Sequence, residues 1–173
     1  MERLTRSLAI GLLVALALEC LGVASGLRFN GTKSFPEGFY LVTGKDAKKG
    51  DLVFVSLPSS PVLDMAKERG YLNVAYSPTP HLLKRLAGVS GDRVTINETG
   101  VEVNGIRLAN SVPLICDGAG RPLQPFLLAQ YVLGPGEDLV MSEYSPDSFD
   151  SRYFGPIPAS TIESVATPLL RFQ

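Results

Sequence analysis

Three short stretches of this sequence concentrate the groups that can do nucleophilic and acid–base chemistry. The first, Asn30-Gly31-Thr32-Lys33-Ser34-Phe35-Pro36-Glu37-Gly38-Phe39-Tyr40, sets two hydroxyls two residues apart just before a proline. Pro36 restricts the backbone of Phe35. Ser34 therefore borders a constrained turn, where a backbone N–H and the Thr32 hydroxyl can point at one oxyanion. A polar turn leading into a strand is the alternative use of these residues, and Asn30-Gly31-Thr32 is also a glycosylation sequon. The second stretch runs from His81 to Val94. With residues 82–86 extended, Leu82, Lys84 and Leu86 share one face. A lysine among leucines is desolvated, its ammonium form is disfavoured, and it can serve as a base near neutral pH. The competing reading is a short amphipathic turn with Lys84 and Arg85 both in water. His81, the only histidine, has no carboxylate partner that stands out and reads as structural. The third stretch, Ser145 to Pro156, packs hydroxyls and carboxylates around one arginine. Asp150 and Arg152 can pair there, and a serine hydroxyl can orient a buried amine. A capped turn is the commoner use of such clusters.

Composition narrows the chemistry. The chain has 173 residues with 16 Lys+Arg against 17 Asp+Glu, a net charge of −1. There is no basic surplus for tracking phosphates, so nucleic acid is not an expected partner. With 45% hydrophobic and 19% charged residues and a mean hydropathy of +0.17, the chain is too apolar to be disordered. One histidine and two cysteines supply no ligand set for a metal, so neither metal nor cofactor is expected. Cys20 and Cys116 are expected to stay unbridged.

These residues need a scaffold, and its elements are readable in outline. Leu8 to Leu27 is a twenty-residue apolar run whose only charge is Glu19, preceded by Arg3 and Arg6. It is long enough to cross a bilayer as a helix; the other reading is a cleaved secretory signal. Arg28, Lys33, Lys45, Lys48 and Lys49 follow the run, so the positive-inside count is not decisive, and the short basic start favours an inside amino terminus. Phe39–Val42 and Leu52–Leu57 predict a hairpin closed by Lys48-Lys49-Gly50-Asp51. Residues 93–108 alternate in polarity and break at Glu98-Thr99-Gly100 and Asn104-Gly105, which predicts a three-strand meander. Further strands are expected at Leu139–Ser142 and Ile162–Ala166, and one short helix at Val62–Tyr71. The fold class is therefore mainly β. Two Pro-rich stretches, near 58–80 and 112–130, read as insertions on the sheet.

An apolar segment, then S-x-P-x-G-x-Y at Ser34–Tyr40, then Lys84-Arg85 leading into G-x-x-G-D-x-V at Gly88–Val94, then D-S-R-Y-F-G at Asp150–Gly155, in that order, resembles the type I signal peptidases. The setting of Ser34, the short length and the Pro-rich insertions look most like the TraF-type peptidases of conjugative transfer, which process a pilin precursor. General signal peptidases usually carry Ser-Met-x-Pro-Thr at the nucleophile, whereas this chain has Phe35 in place of the methionine and Glu37-Gly38 in place of the threonine and its neighbour. The resemblance implies coiled antiparallel sheets with a groove that takes the substrate as an added strand, one N-terminal transmembrane helix, and a short helical insertion. It divides the chain into an anchor at 1–28 and a periplasmic peptidase domain at 29–173, single-pass in a bacterial inner membrane. It implies Ser34 as nucleophile and Lys84 as general base. The oxyanion hole would be the Ser34 N–H and the Thr32 hydroxyl, with Ser148 orienting the lysine and Asp150 and Arg152 as a supporting ion pair. The implied function is removal of a signal or propeptide from exported precursors, with pilin maturation and cyclisation in view, and the implied partners are a precursor protein and membrane lipid. A general signal peptidase, or a non-catalytic anchored pilus-assembly module, would share much of this pattern.

Overall fold

The computed structural model describes Gly11 and residues 25–44, 46–72 and 81–172. Most of the Leu8–Leu27 run lies outside the described residues; among those described, no helix is long and apolar enough to cross a membrane.

Among the described residues, eleven strands form two antiparallel sheets. The larger has the order β1 (Leu27–Asn30), β2 (Gly38–Thr43), β11 (Ile162–Arg171), β3 (Leu52–Ser56), β4 (His81–Gly88), β9 (Glu137–Met141), β10 (Ile157–Pro158). The smaller has the order β7 (Ile106–Arg107), β6 (Gly100–Val103), β5 (Arg93–Asn97), β8 (Leu128–Val132). This mainly β architecture with few helices is the fold class expected from the sequence.

The central strands of the large sheet are covered on both faces, which explains their unbroken apolar runs. In β3, Val53 and Val55 point into a cluster with Leu82, Leu86 and Val140, while Phe54 points the other way, into a cluster with Phe35, Tyr40 and Leu83. The small sheet buries one face only. Val94, Ile96, Val101 and Val103 pack on Leu133, Leu139 and Met141, and the partner positions alternate outward. The expected meander is β5-β6-β7. Asn104 and Gly105 both take positive φ, 53° and 78°, as a two-residue turn matched to strand twist requires. The Gly88–Val94 motif joins the sheets: Asp92 accepts from Lys49 Nζ at 2.8 Å, Val89 N at 2.9 Å and Asn104 Nδ2 at 2.7 Å.

The expected hairpin of Phe39–Val42 with Leu52–Leu57 does not form. β11 lies between β2 and β3 and pairs with both. The Lys48–Asp51 turn is present, with Asp51 N donating to the Lys48 carbonyl at 2.9 Å, but its backbone bonds onward to Leu86 in β4. β11 also runs past the expected end at Ala166. Pro168 is absorbed where the register shifts between Pro168 and Leu170, so the missing N–H does not end the strand. The helix is shorter than expected: α1 spans Pro61–Glu68, capped by the Ser60 side chain. Gly70, at φ 76°, turns the chain out before Tyr71. Residues 73–80 of the first insertion lie outside the described set. The second insertion is irregular up to its last residues, which begin β8.

Candidate active site

Lys84 is placed by β4. It pairs with Val53 across the β3–β4 ladder and points to the side of Leu82 and Leu86, with only 2% of its surface exposed. Among the described groups around it, Ser34 is the one its ammonium nitrogen reaches: Lys84 Nζ donates to Ser34 Oγ at 2.6 Å. Burial, opposed by the nearby Asp150 carboxylate and aided by Arg152, brings the Lys84 pKa down to about 8. The amphipathic-turn alternative, with Lys84 in water, is not what forms.

Ser34 is held by a turn with its own internal scaffold. The Asn30 side chain, 4% exposed, donates through Nδ2 to the carbonyls of Thr32, Phe35 and Pro36 at 3.1, 3.1 and 3.2 Å. Its Oδ1 accepts from Thr32 N at 3.2 Å and from the Thr32 hydroxyl at 2.8 Å. Asn30 is thus the internal strut of the turn, and with its amide buried and committed it is no exposed glycosylation site. Phe35 anchors the turn from below at 5% exposure, stacked 6.3 Å from Tyr144 with Arg85 over its ring at 5.8 Å. That packing accounts for an aromatic residue after Ser34. The Tyr40 hydroxyl ties the turn to β2 by donating to the Pro36 carbonyl at 2.7 Å.

The third stretch closes the site from behind. Asp150 caps α2 (Ser151–Phe154) and forms a two-pronged pair with Arg152, Nε to Oδ1 at 2.8 Å and Nη2 to Oδ2 at 2.9 Å. Both side chains are fully buried. Arg152 spends its remaining donors on the carbonyls of Asn110, Pro146 and Ser142 at 2.8, 2.9 and 3.2 Å. A fully satisfied buried guanidinium of this kind fixes the loop around it. Ser142, unremarked in the sequence beyond its place at a strand end, links this pair to the nucleophile turn: its N–H donates to Asp150 Oδ2 at 2.9 Å and its hydroxyl donates to the Ser34 carbonyl.

Two residues sit differently from their expected roles. The hydrogen bond of Ser148 is to Ser34 Oγ, at 3.3 Å, and not to the lysine it was expected to orient, because the loop between β9 and α2 brings its hydroxyl up beside the serine. The Thr32 hydroxyl already donates to Asn30, so it must turn to reach an oxyanion. The Ser34 backbone N–H has no intramolecular acceptor among the described residues. His81 is exposed and pairs with Glu163 Oε2 at 2.7 Å. Cys116 is a free, exposed thiol. Ser34, Thr32 and Ser148 open onto a cleft of about 1030 Å³.

On these antiparallel sheets a serine hydroxyl meets a buried lysine at a cleft, and the profile of the family described as signal peptidase, peptidase S26, matches residues 3–170. The chain belongs to this family. Among its relatives is the plasmid transfer protein TraF of Escherichia coli, 39% identical over 176 residues that cover 98% of this chain and 99% of that one. The conjugal transfer protein TraF of Agrobacterium fabrum is 34% identical over 172 residues, 97% of this chain and 96% of that one. Among solved structures, a signal peptidase I from Enterococcus faecalis aligns with 72% of this chain and all of its own, at 20% identity and a TM-score of 0.42.

Proposed function

We propose that this chain is a membrane-anchored serine endopeptidase whose Ser34–Lys84 dyad removes a signal or propeptide from exported precursors, in particular the pilin precursor of a conjugative transfer system. The observation that carries the reading is the 2.6 Å contact between Lys84 Nζ and Ser34 Oγ with the lysine buried. In its neutral form Lys84 takes the Ser34 proton along that line as Oγ attacks the scissile carbonyl. The Ser34 N–H, joined by a reoriented Thr32 hydroxyl, stabilises the oxyanion. The protonated lysine then gives its proton to the departing amine, and an acyl-enzyme ester remains at Ser34. Water releases a linear product; an amine of the pilin itself releases a cyclic one. Ser148, hydrogen-bonded to Ser34 Oγ, positions the nucleophile, and Asp150 and Arg152 hold the wall behind it.

The conjugative context is supported by the relatives, which are named for plasmid and conjugal transfer. Placement on a bacterial inner membrane, with the catalytic domain on the periplasmic side, is supported by the apolar run that ends at Leu27. It is also supported by an aromatic patch immediately beyond that run. Phe29, Phe39 and Phe172 have ring centroids 5.4 to 6.3 Å apart, and Phe29 and Phe172 are 56% and 46% exposed. Exposed aromatic clusters beside an apolar segment suit a lipid interface.

The test is mass spectrometry of a pilin precursor incubated with the wild-type chain and with Ser34→Ala. Loss of the propeptide only with wild type is expected, and a product lighter than the linear chain by one water identifies cyclisation. Equal processing by Ser34→Ala sinks the peptidase reading and leaves an anchored assembly module.

A further inference from the structure

The cleft at Ser34 has a far wall that belongs to neither sheet. It is built where the two insertions meet, Gly70–Leu72 from the first and Leu114–Leu123 from the second. A polar clasp locks them together. The Tyr71 hydroxyl donates to Asp117 Oδ2, and Arg121 Nε donates to the same oxygen at 2.6 Å. The Arg121 guanidinium lies 5.7 Å from the centre of the Tyr71 ring. From the other arm, Arg69 Nη1 donates to the Pro122 carbonyl at 2.8 Å. Asp117 also accepts the N–H groups of Ala119 and Arg121 in its own loop, both at 2.9 Å. Charge-assisted contacts of this number fix two otherwise irregular segments relative to each other.

We propose that this clasped wall is a substrate-recognition surface, which holds an extended, apolar segment of the precursor chain so that the scissile carbonyl reaches Ser34. The inference rests on the peptidase reading and extends it to what the enzyme grips. Four observations support it. The cleft, about 1030 Å³, is at the top of the range of roughly 300–1,000 Å³ for ligand sites; it holds several residues of chain and not just one small side chain. Its lining beyond Ser34 is more apolar than polar, with Leu72, Leu114, Leu123 and Phe149 facing the space and Lys33, Asp117 and Asp147 as its charged members. The Asp117 carboxylate on that wall is consumed by the clasp, so it does not present a bare charge to the ligand. Finally, Gly70 and Gly118 line the wall with open space where a Cβ would stand, leaving bare backbone that an extended chain can approach closely.

The wall carries its own reporter in Cys116, exposed and free. With Cys20→Ser it becomes the sole thiol, and with Ser34→Ala the enzyme binds without turnover. The rate of Cys116 alkylation by a bulky maleimide is measured with and without the pilin precursor that the wild type cleaves. At a precursor concentration ten times its Kd, occupancy predicts about a tenfold slowing. An unchanged rate, under conditions where the Ser34→Ala protein competes with wild type for precursor, overturns the proposal. Arg121→Ala, which loosens the clasp from outside the cleft, is expected to raise KM for the precursor at least about fivefold more than it lowers kcat; an unchanged KM overturns the proposal as well. If the wild type cleaves no precursor, the peptidase reading has failed and this inference falls with it, a result distinct from an unprotected Cys116 in an active enzyme.

Discussion

Lys84 sits where a leucine would pack more cheaply. Between its ordinary value of 10.5 and the value of about 8 imposed by burial lies a cost of about 3 kcal/mol for keeping it charged in the folded protein. Below pH 8 the lysine is protonated in both folded and unfolded chains, and the folded state bears that cost in full. From about pH 8 to 10.5 the folded lysine has given up its proton while the unfolded one keeps it, so stability rises with pH. Lys84→Met is therefore expected to abolish cleavage yet stabilise the fold at pH 7 by up to about 3 kcal/mol. That gain should shrink between pH 8 and 10.5 when urea unfolding is followed across the range. The Asp150–Arg152 pair has the opposite signature. Both groups are fully buried and every donor of the guanidinium is engaged, so Arg152→Met strands a buried carboxylate. A loss of about 3–5 kcal/mol is expected, read as a lower urea midpoint.

At the scale of elements, the strands and the chemistry-bearing residues differ in how far the sequence exposes them. The meander at 93–107 was legible because one buried face imposes alternation and Asn104-Gly105 fixes the turn. The side to which Lys84 points was legible from Leu82 and Leu86 alone. Which strand lies beside which was not. Phe39–Val42 and Leu52–Leu57 are near in sequence and have a good turn between them, but the pairing belongs to β11, more than a hundred residues later, whose own reading was cut short by Pro168. β8 was missed because it is a largely exposed edge strand with no alternation, and Gln130 takes a positive φ of 52°. In the site, Ser34 and Lys84 stood out by residue type and order. Asn30 and Ser142 did not, because a short polar side chain reveals its partners only when the turn is closed around it. β2 and β11 approach closely at Gly38, where φ is 152° and a Cβ would lie 2.1 Å from the Leu170 carbonyl oxygen. Gly38→Ala is expected to cost at least roughly 1–3 kcal/mol, visible as a lowered thermal midpoint, and to loosen the strand that leads out of the nucleophile turn.

At the scale of the whole molecule, the two sheets bring Ser34 and Lys84 together, the insertions wall the cleft, and the proposed membrane placement assigns the patch around Phe29 and Phe172 to the lipid interface. The chain has no tryptophan, so single reporters are clean. In vesicles containing brominated lipid, Phe172→Trp fluorescence is expected to be quenched, while Ile106→Trp, on the edge of the smaller sheet and 71% exposed, is not; equal quenching contradicts the placement. The proposed catalysis depends on Lys84 acting as a neutral base on Ser34. The most direct test is the pH dependence of single-turnover precursor cleavage by the wild type and by Lys84→Met. The rate should rise through one ionisation near pH 8 and level off above it, with no cleavage by the folded Lys84→Met protein at any pH. Cleavage that persists in Lys84→Met, or a wild-type rate that is flat across that range, would contradict the assignment.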